Sequence, residues 1–250
     1  RSVTEEATSP ARFPADIAAL FDDAQRRTIA LFREVKAAVG PGMTERDIVD
    51  LMEARANGHG FDRWFDRPHV RFHAPRRMPH LPDGEDKSRV GTIVEIDAGP
   101  ADADAYGDFG TAFVIGDGPE PDVVRQSREL LRACCGFASR WKCTGEVFVY
   151  ADAWARNRAL TLGDSNSVGH VCFPRLGRTA PLWPTLARAA IVARRHQVQW
   201  FNHRRMHGLY ALQPRLVAGE NGCGFEEMIL IDGDSKRALG RDSFDEIGSL

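Results

Sequence analysis

The alternation of apolar and polar positions along the chain predicts helices and strands in mixed order. From Pro14 to about Val39 the apolar residues recur at helical spacing, and Gly-Pro-Gly at 40–42 predicts the end of that helix. Thr44 begins a second helical pattern, because a threonine followed by acidic residues supplies a side-chain cap and favourable charges for the first turn. Residues 92–116 read as two strands of a hairpin around glycine and proline turns.

The rest of the chain supplies further elements of both kinds. Residues 58–90 are rich in His, Pro, Arg and Asp, which predicts irregular or short-strand structure. The pattern predicts helices at about 120–140, 145–162 and 181–205, strands around Ser167–Cys172, 208–217 and 225–232, and then a turn at 232–234 with a closing strand or tail. This order predicts an α+β fold, with one domain over 14–250 and a flexible polar terminus over 1–13.

Composition narrows the classes of function. The chain is 43% hydrophobic and 27% charged, with a net charge of −2, as in an ordinary globular protein without a field that attracts nucleic acid or anionic membrane. It contains no apolar run of about 18 residues, so we expect no membrane span. The five cysteines include an adjacent pair and no C-x-x-C, which favours reduced thiols and a cytoplasmic location.

Two aspartates in the predicted hairpin are unusual for their setting. Asp97 and Asp108 lie eleven residues apart, each within apolar sequence. A carboxylate that points inward from a buried strand costs free energy unless a cation or hydrogen-bond donors compensate it. Two such groups on neighbouring strands also repel each other, and a cation between them removes both costs. Aspartate beside glycine and proline is also common in turns, which is the simpler interpretation.

Two later strand-like segments carry residues that would complete a cation site. His170 follows a glycine in "NSVGHVCF", and Glu226 and Glu227 begin a strongly apolar strand. Adjacent strand residues face opposite sides, so only one glutamate points into the site and the other supports it or is solvated. Two aspartates, a histidine and a glutamate suit Mn, Fe, Co or Zn better than a thiolate site would.

The order of these motifs resembles that of the pita-bread metallopeptidases, which include methionine aminopeptidase, Xaa-Pro aminopeptidase, prolidase and their relative creatinase. "VEIDAGP" and "YGDFGTAFVIG" resemble the two aspartate strands of that family, "VGH" its metal histidine and "FEEMILI" its late glutamate strand. The resemblance covers roughly residues 15–240. It implies a curved antiparallel sheet with flanking helices and metal ligands at Asp97, Asp108, His170 and Glu226.

The resemblance also points to residues with catalytic roles. The family usually has a further glutamate ligand before a proline, to which the general-base role is assigned, but here "YALQPRLV" has Gln213. An amide oxygen is a poorer ligand and cannot accept a proton. The family places a substrate-facing histidine shortly before its first aspartate. His80, 17 residues before Asp97, fits that role, with His69 and His73 as competitors.

The implied function is metal-dependent hydrolysis of an amide or other C–N bond in a peptide or small amino-acid derivative, with one or two divalent transition-metal ions as cofactors. Because of Gln213, a non-peptidase metalloenzyme that acts on a small metabolite is an alternative. A non-catalytic binding module is a third alternative. The arginine-rich stretch 188–205 favours a solvated helix face or an oligomer contact, such as a homodimer, over nucleic-acid binding. The expected partner is therefore a small-molecule or short-peptide substrate.

Overall fold

The computed structural model describes residues 12–72, 87–163, 167–173, 197–219 and 221–250. The helices in these ranges are α1 (Ala15–Ala38), α2 (Glu45–Ala56), α3 (Asp122–Phe137) and α4 (Thr144–Arg156). The strands are β1 (Arg63–Phe72), β2 (Ile93–Ala101), β3 (Phe109–Val114), β4 (Thr161–Leu162), β5 (Gly169–Val171), β6 (Gly208–Leu212), β7 (Arg215–Ala218), β8 (Asn221–Gly224), β9 (Glu227–Asp232) and β10 (Ser235–Ala238). None of the helices described is long and apolar enough to cross a membrane.

The predicted hairpin is the centre of the first half of the fold. β1, β2 and β3 form an antiparallel sheet in that order, which confirms the two strands expected over 92–116. β2 is buried at every position. The apolar stripe of α1 packs on this sheet, with Phe32 edge-on to Phe109 at 4.9 Å between ring centroids. This packing holds the first long helix against the strands that carry the two aspartates.

Two more antiparallel sheets form the second half. One has the order β10-β9-β6-β5 and the other β4-β7-β8, and α3 and α4 share a hydrophobic cluster with them. The first and second halves meet at Gly110 and Glu226, which exchange backbone hydrogen bonds of 2.9 and 3.2 Å. The predicted α+β class is therefore confirmed: helix pairs flank antiparallel sheets that are joined at their centre.

The single strand predicted over 208–217 is wrong, because the structure has two strands in different sheets. β6 ends at Leu212, and Pro214 follows Gln213 before β7 begins. Proline lacks the N–H that a central ladder requires, so the chain leaves one sheet there and enters another. The break places Gln213 at the junction between the two sheets.

Three other predicted elements need correction. β1 is ten residues long within the stretch predicted to be irregular or to form only short strands, since pairing with β2 overrides its weak propensity. The helix predicted over 145–162 ends at Arg156, and β4 follows. In the helix predicted over 181–205, the described part is not helical: Gln197 and Arg205 instead form isolated bridges with His170 and Cys143. Residues 181–196, and residues 1–11 of the predicted terminus, lie outside the described ranges.

The predicted cap of the second helix is confirmed and gives a stability test. Thr44 Oγ1 accepts the Asp47 N–H at 3.1 Å, and the Asp47 carboxylate accepts the Thr44 N–H at 2.8 Å. Thr44→Ala should lower the free energy of unfolding by about 1 kcal/mol, measured by urea denaturation, because it leaves a helix N–H unsatisfied. Thr44→Ser keeps the hydroxyl and should retain most of that stability; equal losses in both variants would argue against the cap.

Candidate metal centre

Three buried carboxylates converge where the two halves of the fold meet. Asp97 lies within β2, Asp108 directly precedes β3, and Glu226 directly precedes β9. One oxygen of each lies within 4.8 Å of the others, and the residues are 5%, 3% and 2% exposed. The approach of the third carboxylate favours glycine opposite it, because a Cβ at Gly110 would make a tight contact, 3.0 Å from the Cβ of Glu226. The fold thus brings together the three carboxylates that the sequence motifs predicted as a set.

The His170 imidazole joins this cluster from β5. Its Nε2 lies 3.3 Å from Asp108 Oδ2 and 3.7 Å from Glu226 Oε1. The preceding Gly169 has a φ of 137°, and a Cβ there would lie 2.2 Å from the backbone oxygen of Ala211. Only glycine permits this conformation and this approach of β5 to β6. The glycine before the histidine is therefore a condition for its position.

Gln213 reaches the same centre through its side-chain amide. Its Nε2 donates a hydrogen bond to Asp97 Oδ2 at 2.6 Å, and its backbone N–H donates to Val168 O at 2.9 Å. A glutamate at this position would add a fourth carboxylate to the group. The amide instead provides a neutral donor that holds Asp97 and leaves the total negative charge lower.

The crowding of like charges changes the protonation of the centre. Burial raises the pKa of Glu226 well above its ordinary value, and the charges of Asp108 and Asp97 add to this effect. Burial also raises the pKa of Asp108, although the adjacent His170 opposes it. For His170, burial lowers the pKa, but the interaction with Asp108 outweighs that effect and the pKa is raised. Without a cation, the carboxyls therefore retain protons that free carboxyls would lose.

The donor set fits a divalent transition-metal ion. Asp108 Oδ2 is buried and accepts no well-aligned hydrogen bond from the described residues, which is a costly state for a carboxylate oxygen that has no cation. Two overlapping groups have the spacing of metal ligands: Asp97, Asp108 and Glu226, and Asp108, His170 and Cys172. Oxygen donors with one imidazole suit the transition metals expected from the sequence.

Of the three histidines that compete for a substrate-facing role, only His69 lies in the described ranges. His69 on β1 is the cross-strand partner of Asp97 on β2. Its Nε2 lies 3.5 Å from Asp66 Oδ1, and this carboxylate raises the pKa of His69. His73 and His80 fall outside the described residues.

Gln25, which the sequence analysis missed, binds the backbone of Asp108 through its side-chain amide. This fully buried side chain of α1 accepts the Asp108 N–H at 2.8 Å and donates to the Asp108 carbonyl at 3.0 Å. One amide thus satisfies both backbone polar groups of the residue and fixes its position. The signal that would have identified it is a glutamine on the apolar stripe of an otherwise amphipathic helix.

The second glutamate of the pair, Glu227, is not solvated. It is fully buried, and its Oε1 accepts hydrogen bonds from Arg241 Nε at 3.0 Å and from the Gly248 N–H at 3.1 Å. Glu226 and Glu227 therefore face opposite sides, as strand alternation requires. Glu227 ties the base of β9 to the C-terminal segment of the chain.

A buried ion cluster lies two residues before Asp97. The Glu95 carboxylate contacts the guanidinium groups of Arg71 and Arg215, and all three residues are buried. These contacts tie β1, β2 and β7 together next to the carboxylates. Removing one member of such a cluster leaves a buried charge unpaired, which typically costs several kcal/mol. No local pattern predicts this cluster, because its members come from three distant segments of the chain.

Comparison with known proteins places this site in a family. The chain matches the model of metallopeptidase family M24 over residues 19–232, and it therefore belongs to that family. Family membership supports a metal-dependent, peptidase-like hydrolase that uses divalent metal ions. No curated protein sequence matches the chain significantly.

Solved structures confirm the pita-bread α+β fold. A methionine aminopeptidase from Thermotoga maritima is similar with a TM-score of 0.72 and 18% identity, over 93% of this chain and 99% of that one. An X-Pro aminopeptidase from the same organism is similar with a TM-score of 0.71 and 15% identity, over 92% of this chain and 62% of that one. The prolidase from Pyrococcus furiosus is similar with a TM-score of 0.71 and 13% identity, over 93% of this chain and 66% of that one. The chain thus spans about three fifths of the X-Pro aminopeptidase, and identities this low establish the fold alone.

The pKa shifts at the centre predict how the metal-free protein responds to pH. Asp108 and Glu226 bind protons more strongly in the folded than in the unfolded state, so the stability they contribute is present below their ordinary pKa values of 3.8 and 4.5 and is lost as the pH rises through the raised values. The raised pKa of His170 extends this loss above its ordinary value of 6.5. Chelator-treated protein should therefore lose stability from mildly acidic to neutral pH, measured by denaturant titration.

Glu226→Gln provides the matched control for this dependence. The variant removes one of the raised carboxyls without changing its shape, so its stability should depend less on pH over the same window. An identical pH dependence in the variant and the wild-type protein would contradict the assignment of the effect to this centre.

Proposed function

We propose that this chain is a hydrolase that uses metal to cleave an amide or other C–N bond in a short peptide or small amino-acid derivative. The observation that carries the proposal is the group of three buried carboxylates within 4.8 Å of one another, beside an imidazole 3.3 Å from one of them. Membership of a metallopeptidase family supports the same chemistry. In this proposal residues 14–250 act as one catalytic domain.

We assign the metal ligands to Asp97, Asp108, His170 and Glu226, with one or two ions of Mn, Fe, Co or Zn. When bound, such an ion supplies a Lewis acid that polarises the scissile carbonyl and makes water a nucleophile near neutral pH. The protein supplies position: Gln25 fixes the backbone of Asp108 and Gln213 holds the carboxylate of Asp97. Fixed ligands keep the reacting groups in one geometry, which is the main contribution of a rigid site.

The remaining residue roles are orientation of the substrate and transfer of the proton during hydrolysis. A histidine orients the substrate amide in this proposal: His69 lies beside Asp97 across the sheet, and His80 is the alternative by family resemblance. Gln213 is assigned a catalytic position but not the proton-accepting role, because an amide has no basic site at neutral pH. The substrate is a small molecule or short peptide, and nucleic acid and membrane are not partners. A cytoplasmic location, which the five free thiols favour, and a homodimer complete the proposal.

A second candidate function is metal-dependent chemistry on a small metabolite that is not a peptide. The specific observation in its favour is again Gln213, whose amide nitrogen faces Asp97 at 2.6 Å where a carboxylate would supply both a ligand and a base. A reaction that needs no proton transfer at this position tolerates the amide. A substrate screen with dipeptides and with acylated amino acids separates the two candidates.

Metal binding itself is tested by Asp108→Asn. Asp108 belongs to both groups with ligand spacing, so its loss should reduce metal affinity by more than the roughly 10–100-fold that follows loss of an outer partner. Affinity is measured by calorimetric titration of chelator-treated protein with Mn²⁺ or Zn²⁺, and occupancy by elemental analysis. Asp117→Asn, at an exposed turn, is the matched control and should bind like wild type. Full occupancy in Asp108→Asn would sink the assignment.

Replacement of the amide tests whether Gln213 limits peptidase activity. Gln213→Glu restores a fourth carboxylate and a proton acceptor, so it should tighten a second ion and raise turnover of Met-Xaa and Xaa-Pro peptides by up to about 10²–10⁴-fold. Gln213→Asn keeps a neutral amide and should not raise it. Wild-type protein that already turns over such peptides at about 1–10³ s⁻¹ would show that Gln213 is no handicap.

A further inference from the structure

Cys172 lies against the metal centre, unlike the other cysteines. It comes two residues after His170, so the two side chains leave the chain on the same side. Its sulfur, one His170 nitrogen and one Asp108 oxygen all lie within 4.8 Å of one another. Of the five cysteines, all of them buried, this is the only one that belongs to a group with ligand spacing among the described residues.

A second observation, independent of the cysteine, points to a ligand at the same place. Asp108 is 3% exposed, and its Oδ2 accepts no well-aligned hydrogen bond from the described residues. The Nε2 of His170 lies 3.3 Å from this oxygen, and a bound cation would supply the aligned partner that a buried carboxylate oxygen requires. Asp108 is the residue that the oxygen-only group and the group that contains sulfur share.

A buried tyrosine lies beside the sulfur. The side chain of Tyr106 is fully buried and hydrogen-bonded to Cys172, while its hydroxyl oxygen accepts the Phe173 N–H at 3.2 Å. The ring is fixed by stacking on Phe65, with centroids 4.0 Å apart. A rigid O–H donor beside a metal-binding sulfur orients it and tunes its basicity, as outer partners of metal ligands do.

We propose that Cys172 is a thiolate metal ligand that forms, with Asp108 and His170, a softer metal position next to the oxygen-only position of Asp97, Asp108 and Glu226. This inference deepens the proposed function and rests on it. When the ion binds, the S–H bond breaks, a sulfur–metal bond forms, and the proton passes to solvent. The two positions then differ in preference: the oxygen-only position suits Mn²⁺, and the mixed O, N, S position suits Zn²⁺, Co²⁺ or Fe²⁺.

Cobalt spectroscopy tests the ligand directly and without substrate. Chelator-treated wild-type protein is titrated with Co²⁺, and binding is followed both by calorimetry and by near-ultraviolet absorption. We expect the intense thiolate-to-cobalt charge-transfer band to rise with occupancy. Cys172→Ser should lose the band and bind the corresponding ion at least about tenfold more weakly. Cys134→Ser, at a buried position on α3 within the other hydrophobic cluster, should keep both the band and the affinity.

The outcomes separate this inference from the proposed function. Cobalt bound by wild-type protein without the band, or a band that survives in Cys172→Ser, would overturn the thiolate ligand and leave the hydrolase proposal standing. Absence of cobalt binding in wild-type protein would overturn both. Because the wild-type spectrum decides the first of these outcomes, the test does not depend on the stability of a variant. Circular dichroism of Cys172→Ser verifies that a lost band reflects a lost ligand in a folded protein.

Discussion

Mutual repulsion among three buried carboxylates is the constraint on which the rest of the structure depends. Asp97 lies on β2, whereas Asp108 and Glu226 directly precede β3 and β9, and burial makes Asp108 and Glu226 ionise less easily than they would in water. Such a group persists only where the surrounding structure holds it in place and a cation or protons offset its charge. The fold provides that support in two close approaches: a Cβ at Gly169 would clash with the backbone of β6, and a Cβ at Gly110 would make a tight contact with Glu226.

The neutral groups beside the carboxylates hold them in position, and the charged groups close by pair with other acids. Gln25 and Gln213 hold two of them by hydrogen bonds and add no charge. The buried arginines close by make ion pairs with other acids: Arg71 and Arg215 contact Glu95, and Arg241 contacts Glu227. These arginines are therefore directed to other acids, and in the proposed function a metal ion neutralises the carboxylates of the centre. This division keeps the site rigid while its net charge still favours divalent cations.

Local sequence predicted the elements in which pattern and tertiary contacts agree. α1, α2 and the β2–β3 hairpin follow from their periodicity and turn residues, and the two aspartate motifs belong to that hairpin. The long strand β1 did not follow, because its Arg, Asp and His residues are poor strand formers and only pairing with β2 makes it extended. Gln25 and the Glu95 cluster were missed for a related reason. Their partners lie far away in sequence, so no local pattern records them.

The position of Glu226 in the chain also determines when the proposed metal centre is complete during synthesis. α1 and the hairpin with Asp97 and Asp108 leave the ribosome first, whereas His170 and Glu226 follow much later, Glu226 more than a hundred residues after Asp97. A nascent chain that lacks β5 and β9 therefore offers the two aspartates without the imidazole of His170 and the carboxylate of Glu226, and we expect it to bind a divalent ion weakly. The full set forms only when Glu226 pairs with Gly110, which joins the two halves of the fold. In the proposed function, loading with metal is consequently a late event, coupled to the docking of the second half on the first.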